Sequence, residues 1–336
     1  MGFYTDKKVL ITGGTGTIGQ HLIKRILKDR PAVIRIFSRD EHKQFEMQQT
    51  LNEHNKDLRY LIGDIRDKDR LTRAMEGIDY VFHLAAMKHV PACEYNPFEA
   101  VQTNVIGTQN VIQSSIQSGV TKVLFTSTDK AISPTNTYGA TKLMAERLVS
   151  AAQFQAGPKN TIFSSVRFGN VMGSRGSVIP LFKRQIQEKR KITITRKEMS
   201  RFMMSAAQAI DLMIRAMNLA QGGEVFVLKM PTIRLEDLSS VIIEEISKRL
   251  NTDSAQVHIE EIGLRAGEKM FEELMTEEEA ESALELPEMF IVPSDFLGKH
   301  NYQGATKAGD RGYSSQKTQY LEKEEIRLLL LRNALL

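Results

Sequence analysis

Val9-Leu10-Ile11-Thr12-Gly13-Gly14-Thr15-Gly16-Thr17-Ile18-Gly19 is the stretch on which the fold turns. Four residues suited to a buried strand run into G-x-x-G-x-x-G. A helical face of Ile18, Leu22, Ile23 and Ile26 follows at spacings of three and four. Glycine permits a tight turn and lets the backbone approach a pyrophosphate, whose charge the free N–H groups of a helix start can hold. Glycine-rich turns are common, so the trio alone says little. Directly after the first strand of a βαβ unit, it predicts a dinucleotide site made by Gly13, Thr15, Gly16, Thr17, Ile18 and Gly19.

Outward from this turn, short β-rich runs alternate with helical stretches. Val33 to Phe37, Leu58 to Ile62, Tyr80 to Leu84, Val123 to Thr126 and Ile162 to Val166 read as further strands. Such alternation implies an α/β fold, a doubly wound parallel sheet of the Rossmann kind. The rhythm changes from about residue 170, where Gly, Ser and Arg cluster at 173–177 and basic residues at 183–191. Leu235 to Leu250 reads as an amphipathic helix and Glu277 to Leu286 as a second, acidic one. The expected organisation is a nucleotide-binding domain over 1–170, to which later segments return, and a smaller, mainly substrate-binding α/β lobe over 171–295. A C-terminal arm takes 296–336, of which 296–320 is polar enough to be a long loop.

Composition narrows the function classes. The 45 basic and 41 acidic residues leave a net charge of only +4, too balanced for a nucleic-acid surface. A single cysteine, Cys93, excludes an internal disulfide and a multi-cysteine metal site, and no metal is expected. No apolar run approaches the roughly 18 to 20 residues that span a bilayer. The polar start, Met1 to Lys8, predicts no signal peptide. The expectation is a cytoplasmic protein with neither membrane nor nucleic-acid partners.

The end of the second strand bears on which dinucleotide binds. An NAD site usually places a carboxylate there for the ribose 2′-hydroxyl. Here the chain reads Phe37-Ser38-Arg39-Asp40. Ser38 and Arg39, with Lys43 nearby, suit a 2′-phosphate, which a guanidinium can grip in a bidentate fork. The other reading makes Arg39 a solvated side chain and Asp40 the ribose ligand. Asp64-Ile65 follows the third strand, where the adenine lies in such folds. Leu84-Ala85-Ala86 follows the fourth, small enough for the cofactor to lie close, with Lys88 just beyond.

Tyr138-Gly139-Ala140-Thr141-Lys142 is Tyr-x-x-x-Lys, closely preceded by Ser127-Thr128-Asp129-Lys130. On a helix, positions i and i+4 share a face, so Lys142 lies beside Tyr138. A tyrosine acting as a base near neutrality needs its pKa lowered by roughly three units, about 4 kcal/mol, which a nearby ammonium and the nicotinamide charge could supply. With 8 tyrosines the motif alone is weak, but after the fifth strand of a nucleotide-binding sheet it is strong. Asp129 and Lys130 also have a plain reading, as a solvated turn before Pro134. Asn170, Ser174, Arg175, Ser177 and Lys183 form a polar, basic cluster fit for a nucleoside diphosphate, to which Arg201 could add.

Gly13/Gly16/Gly19, Leu84-Ala85-Ala86 and Tyr138/Lys142 together resemble the extended short-chain dehydrogenase/reductases that modify nucleotide sugars. Phe37 to Glu41, Ala86 to Pro91, Ser127 to Ala131 and Gly169 to Val178 resemble the inverting UDP-N-acetylglucosamine 4,6-dehydratases of the pseudaminic acid type. The likeness runs from about residue 7 to 295 and resumes at Tyr313 to Leu330. It implies NADP as cofactor, UDP-N-acetylglucosamine as substrate, and assembly into dimers or hexamers. It also implies roles. Thr128 bonds the sugar's 4-oxygen and Tyr138 takes its proton. Neutral Lys130 removes the C5 proton, and protonated Asp129 donates to the departing 6-hydroxyl. Lys88 faces the same cleft, Arg265 reaches the diphosphate, and Glu268 reaches the uridine ribose.

Related glucose dehydratases usually carry Glu where this chain has Lys130, and retaining N-acetylglucosamine dehydratases tend to carry Met at the Tyr138 position. The resemblance therefore leans towards inversion at C5. Three other readings stand beside it: a retaining dehydratase, a UDP-sugar 4-epimerase that needs no acid/base pair at 129–130, and a non-catalytic NADP-sensing regulator.

Overall fold

The computed structural model describes residues 2–157, 160–174, 176–294 and 300–336. Its centre is six strands: β1 (Lys8–Thr12), β2 (Val33–Ser38), β3 (Leu58–Ile62), β4 (Tyr80–His83), β5 (Lys122–Thr126) and β6 (Ile162–Arg167). They lie parallel in the order β3-β2-β1-β4-β5-β6. Past β6 the sheet gains Val225–Leu228 in parallel, then Met289–Val292, Leu284–Leu286 and Thr306–Lys307 in antiparallel.

Seven helices flank its first half: α1 (Thr17–Leu27), α2 (Glu41–Thr50), α3 (Lys68–Met75), α4 (Val90–Tyr95), α5 (Pro97–Ala100), α6 (Gly107–Ser118) and α7 (Thr137–Gln155). Leu22, Ile23 and Ile26 of α1 pack with Val9 and Ile11 of β1 on one face. Leu10, Phe37, Val81 and Phe125 pack on the other face against Leu71 of α3, Val111 and Ile112 of α6, and Ala145 and Val149 of α7. Both faces are therefore covered, which is why these strands read as continuous apolar runs rather than alternating ones. The strand order reverses between β1 and β4, and in such sheets the ligand crevice opens there, beyond the C-terminal strand ends.

A second core, with Phe182, Ile186, Ile192, Leu238, Ile242, Ile326 and Leu330, lies under the helices Val178–Lys189, Leu235–Leu250 and Lys323–Arg332. Beside it are a three-stranded sheet (Thr232–Arg234, Ser200–Met204, Asn170–Val171) and the parallel pair Lys191–Ile194 with His258–Glu261. Among the described residues no helix is long and apolar enough to cross a membrane.

The helix expected over Glu277 to Leu286 stops at Ser282. Leu284 and Leu286 instead pair with Ile291 and Met289, because backbone pairing at the open sheet edge outweighs helical continuation. The polar stretch expected as a loop within 296–320 is partly ordered too. Thr306–Lys307 extends the main sheet, and Tyr313–Ser314 pairs with Glu273–Met275.

Candidate active site

Gly13 sits in the left-handed region at φ +69°, and a Cβ there would stand 2.8 Å from the backbone of Ala85. At Gly19 a Cβ would stand 2.4 Å from the Gly14 carbonyl oxygen, so only glycine lets α1 approach the turn. The N-cap of α1 is Gly16, which offers no side-chain cap, and the first turn holds no acidic residue. The helix start thus presents bare N–H groups and the positive end of its dipole to the cleft, as an anion requires. These residues fit a dinucleotide.

The cleft has a volume of about 770 Å³ and runs from this turn past Ser38, Arg39, Lys43, Asp64, Ile65, Ala85, Ala86 and Lys88 to Tyr138 and Lys142. Thr17, Ile18 and Thr15 line it as well. Thr15 and Ser38 share a hydroxyl hydrogen bond of 2.9 Å. The Arg39 side chain is 58% exposed and meets Asp64 at 3.4 Å. Asp40, the alternative ribose ligand, is already engaged: its carboxylate caps α2 through the Lys43 N–H and pairs with the Lys43 ammonium.

Tyr138 stands in the first turn of α7, whose N-cap Asn136 accepts from Gly139 N–H at 2.8 Å. Its hydroxyl bonds Thr128, and burial pushes its pKa up to about 12. The expected lowering is not found in the cofactor-free protein: the Thr128 bond and Lys130 oppose the rise without cancelling it, and Lys142, expected to act on the tyrosine, is held by the Thr126 carbonyl. The Lys142 ammonium donates to the Thr126 carbonyl and lies over the Phe125 ring, and burial lowers its pKa to about 7 against the pull of Glu146.

Thr128 caps the short turn Asp129–Ala131, and its hydroxyl donates to Asp129 Oδ1 at 2.8 Å. Lys130 Nζ donates to Asp129 Oδ1 at 3.0 Å and to Glu272 Oε1 at 2.9 Å. Asp129 is 2% exposed, which removes the solvated-turn reading. Burial and the neighbouring Glu272 raise its pKa to about 7, despite Lys130. Burial disfavours charge on Glu272, yet Lys130 and Arg201 outweigh it and hold its pKa at about 2. Burial likewise opposes the Lys130 ammonium, but Asp129 and Glu272 keep its pKa above the ordinary lysine value. An Asp129 so placed can take up a proton near neutrality, whereas the expected neutral Lys130 is opposed by the two carboxyl groups that face its amine.

Glu272 was missed from the sequence. It ends the stretch Arg265-Ala266-Gly267-Glu268-Lys269-Met270-Phe271-Glu272, but nothing local sets it apart from this chain's other glutamates. Asn170 donates to it at 3.1 Å and Arg201 Nε stands 3.4 Å away.

The structure places the expected substrate residues unevenly. Asn170, Ser174 and Ser177 line the first cleft. A second cleft of about 620 Å³ is lined by Arg201, Arg265 and Glu268, and shares Asp129, Lys130 and Asn170 with the first. The Arg201 guanidinium is largely spent on the carbonyls of Ser200, Lys269 and Met270. Lys183 lines neither cleft; its ammonium donates to the Leu335 carbonyl, tying its helix to the C-terminal end. Arg175 lies outside the described residues.

A family model described as polysaccharide biosynthesis protein matches residues 9–294. The structure of Pen from Bacillus thuringiensis is similar at a TM-score of 0.94, with 56% identity and 100% of both chains covered. A Methanocaldococcus jannaschii protein described as an uncharacterized membrane protein is 48% identical over 98% of this chain and 96% of its own. An inverting UDP-N-acetylglucosamine 4,6-dehydratase of Campylobacter jejuni is 41% identical over 92% and 90% of the two chains. A UDP-glucose 4-epimerase of Rickettsia conorii is 41% identical over 98% and 96%. With its glycine turn, its Tyr138/Lys142 helix and a family match over most of its length, this chain belongs to the polysaccharide biosynthesis protein family and is an enzyme of the extended short-chain dehydrogenase/reductase type.

Proposed function

We propose that this enzyme is an NADP-dependent UDP-N-acetylglucosamine 4,6-dehydratase that inverts C5, giving a UDP-2-acetamido-2,6-dideoxy-L-arabino-hex-4-ulose for surface glycan or nonulosonic acid synthesis. The observation that carries the reading is the buried Asp129 beside Lys130, where the two clefts meet. A 4-epimerase has no use for an acid whose pKa lies at about 7 within reach of the sugar. The Campylobacter jejuni relative, named an inverting UDP-N-acetylglucosamine 4,6-dehydratase, supports the same reading, which goes with a cytoplasmic, homo-oligomeric enzyme.

The nicotinamide, when bound, supplies hydride acceptance and return. The protein's own residues handle protons. Thr128 holds the sugar's 4-oxygen and Tyr138, whose raised pKa the nicotinamide charge would have to bring down, takes its proton; with the hydride accepted, this leaves a C4 ketone that acidifies the proton on C5. At rest Lys130 carries the proton between itself and Asp129. A shift along their 3.0 Å hydrogen bond breaks Nζ–H, forms Oδ1–H, and turns the ion pair into a neutral base and a neutral acid. Lys130 then takes the C5 proton as Asp129 protonates the leaving 6-hydroxyl, which departs as water. The pair is back in its ionised form, and Tyr138 returns a proton to C5 from the other side. Asn170, Ser174, Ser177, Arg265 and Glu268 hold the nucleotide.

Incubation with UDP-N-acetylglucosamine, followed by NMR, tests the reading. A 4-keto-6-deoxy product with no added oxidant is expected, and substrate deuterated at C4 should place its label at C6. A 4-epimer alone, or no turnover, would overturn it.

A further inference from the structure

The proton shift between Lys130 and Asp129 needs a reason to favour protonation of an aspartate, and the fold provides one from a distant part of the chain. Asp129 Oδ1 receives Thr128 and Lys130. Its other oxygen, Oδ2, is buried without a hydrogen-bond partner among the described residues, and the Glu272 carboxyl, which holds the same Lys130 ammonium, is close enough to Asp129 to raise its pKa. Two carboxyl oxygens cannot hydrogen-bond unless one holds a proton.

Glu272 is fixed in place from several directions. Its backbone N–H donates to Ser315 Oγ at 2.9 Å, Asn170 holds Oε2, and Lys130 and Arg201 approach Oε1. The other charged or titratable groups acting on this cluster are Tyr138 from α7 and Lys269 from the 265–272 segment. With two cations on Glu272 and one on Asp129, a proton shared by the carboxyl pair belongs on Asp129.

We propose that Glu272 is a positioning residue: its carboxylate, pinned by Asn170 and Arg201, shares the Lys130 ammonium with Asp129, so that the proton of the centre is poised to sit on Asp129. In the proposed dehydration Asp129 and Lys130 act on the sugar, and Glu272, which lines the second cleft beside them, acts through them, 142 positions along the chain from Lys130. This role has a catalytic consequence only if the chain carries out the proposed dehydration, whereas the protonation of Asp129 can be read on the protein alone.

The test compares wild type, Glu272→Gln and Glu272→Asp. In the wild type, activity should fall as pH drops through about 7, where Asp129 and Lys130 are both protonated and no base remains. In Glu272→Gln that acid limb should move at least one pH unit lower, with KM changed less than about threefold. Glu272→Asp, which keeps the charge, should restore the wild-type limb. A merely structural role would lower kcat at every pH and leave the limb where it was, and that outcome overturns the proposal.

Infrared spectra of the wild-type protein without substrate give an arm that depends on neither turnover nor the folding of the Glu272 variants. A protonated-carboxyl band should be present at pH 6, fade through about pH 7, and be missing in Asp129→Asn. No such band at pH 6 would overturn the proposal. The band together with an inactive wild type would instead count against the dehydratase reading.

Discussion

The Lys142 ammonium lies 3.9 Å from the centre of the Phe125 ring while donating to the Thr126 carbonyl. The side chain is buried, and charge there is costly, so its pKa falls from 10.5 to about 7 with Glu146 pulling the other way. Between those two values the unfolded chain binds a proton that the folded chain does not, so this residue's contribution to stability rises with pH across that window. At pH 7 the charge-burial cost is on the order of 4 kcal/mol. The melting temperature of the cofactor-free wild type, relative to Lys142→Met, should therefore climb from pH 7 to pH 10. A flat difference would show that Lys142 keeps its proton.

Arg39 stands exposed at the cleft mouth while Asp40 is occupied by α2 and Lys43. Losing one bidentate phosphate contact costs about 1.5 to 3 kcal/mol. Calorimetry on stripped protein should find NADP+ bound more than tenfold tighter than NAD+, with the gap shrinking in Arg39→Ala. Equal affinities in the wild type would remove the assignment.

Lys130→Ala should abolish most dehydration while leaving NADP+ and UDP affinities nearly unchanged. In heavy water the wild-type product should carry deuterium at C5 in the L-arabino configuration. A D-xylo product would make the enzyme a retaining dehydratase, and a near-normal Lys130→Ala would take the residue out of the chemistry.

Gly139 joins the two halves of the centre. A Cβ on it would stand 2.1 Å from the Lys130 carbonyl oxygen, backbone that cannot swing aside. Gly139→Ala should cost about 1 to 3 kcal/mol of stability and lower kcat at least tenfold by moving the 129–131 turn away from Tyr138. Gly309→Ala, where nothing lies within 4 Å, serves as the control and should melt like the wild type. Equal kcat for the two variants would separate the turn from catalysis.

The sheet was legible because its signals are local. Buried parallel strands write themselves as apolar runs, and the turn at Gly13 leaves glycine few substitutes. β3 was expected over the very residues it occupies, and β1 begins one residue before its expected start. The tail of the acidic stretch at 277–286 was not legible, because whether Leu284 to Leu286 is helix or strand depends on Met289–Val292 arriving beside it.

By itself, the sequence determined the doubly wound sheet, the dinucleotide turn and the nearness of Thr128, Asp129, Lys130 and Tyr138, since these lie within one strand-to-helix connection. Tertiary structure alone decided their charges. The Asp129 pKa is raised towards neutrality and Lys130 stays an ammonium because a distant segment brings Glu272 beside them and Arg201 comes with its own strand. Tertiary structure also turned Lys183 towards Leu335 and spent Arg201 on backbone carbonyls. Protonation depends on burial and on every charge within several ångströms, and neither can be read from spacing along a chain.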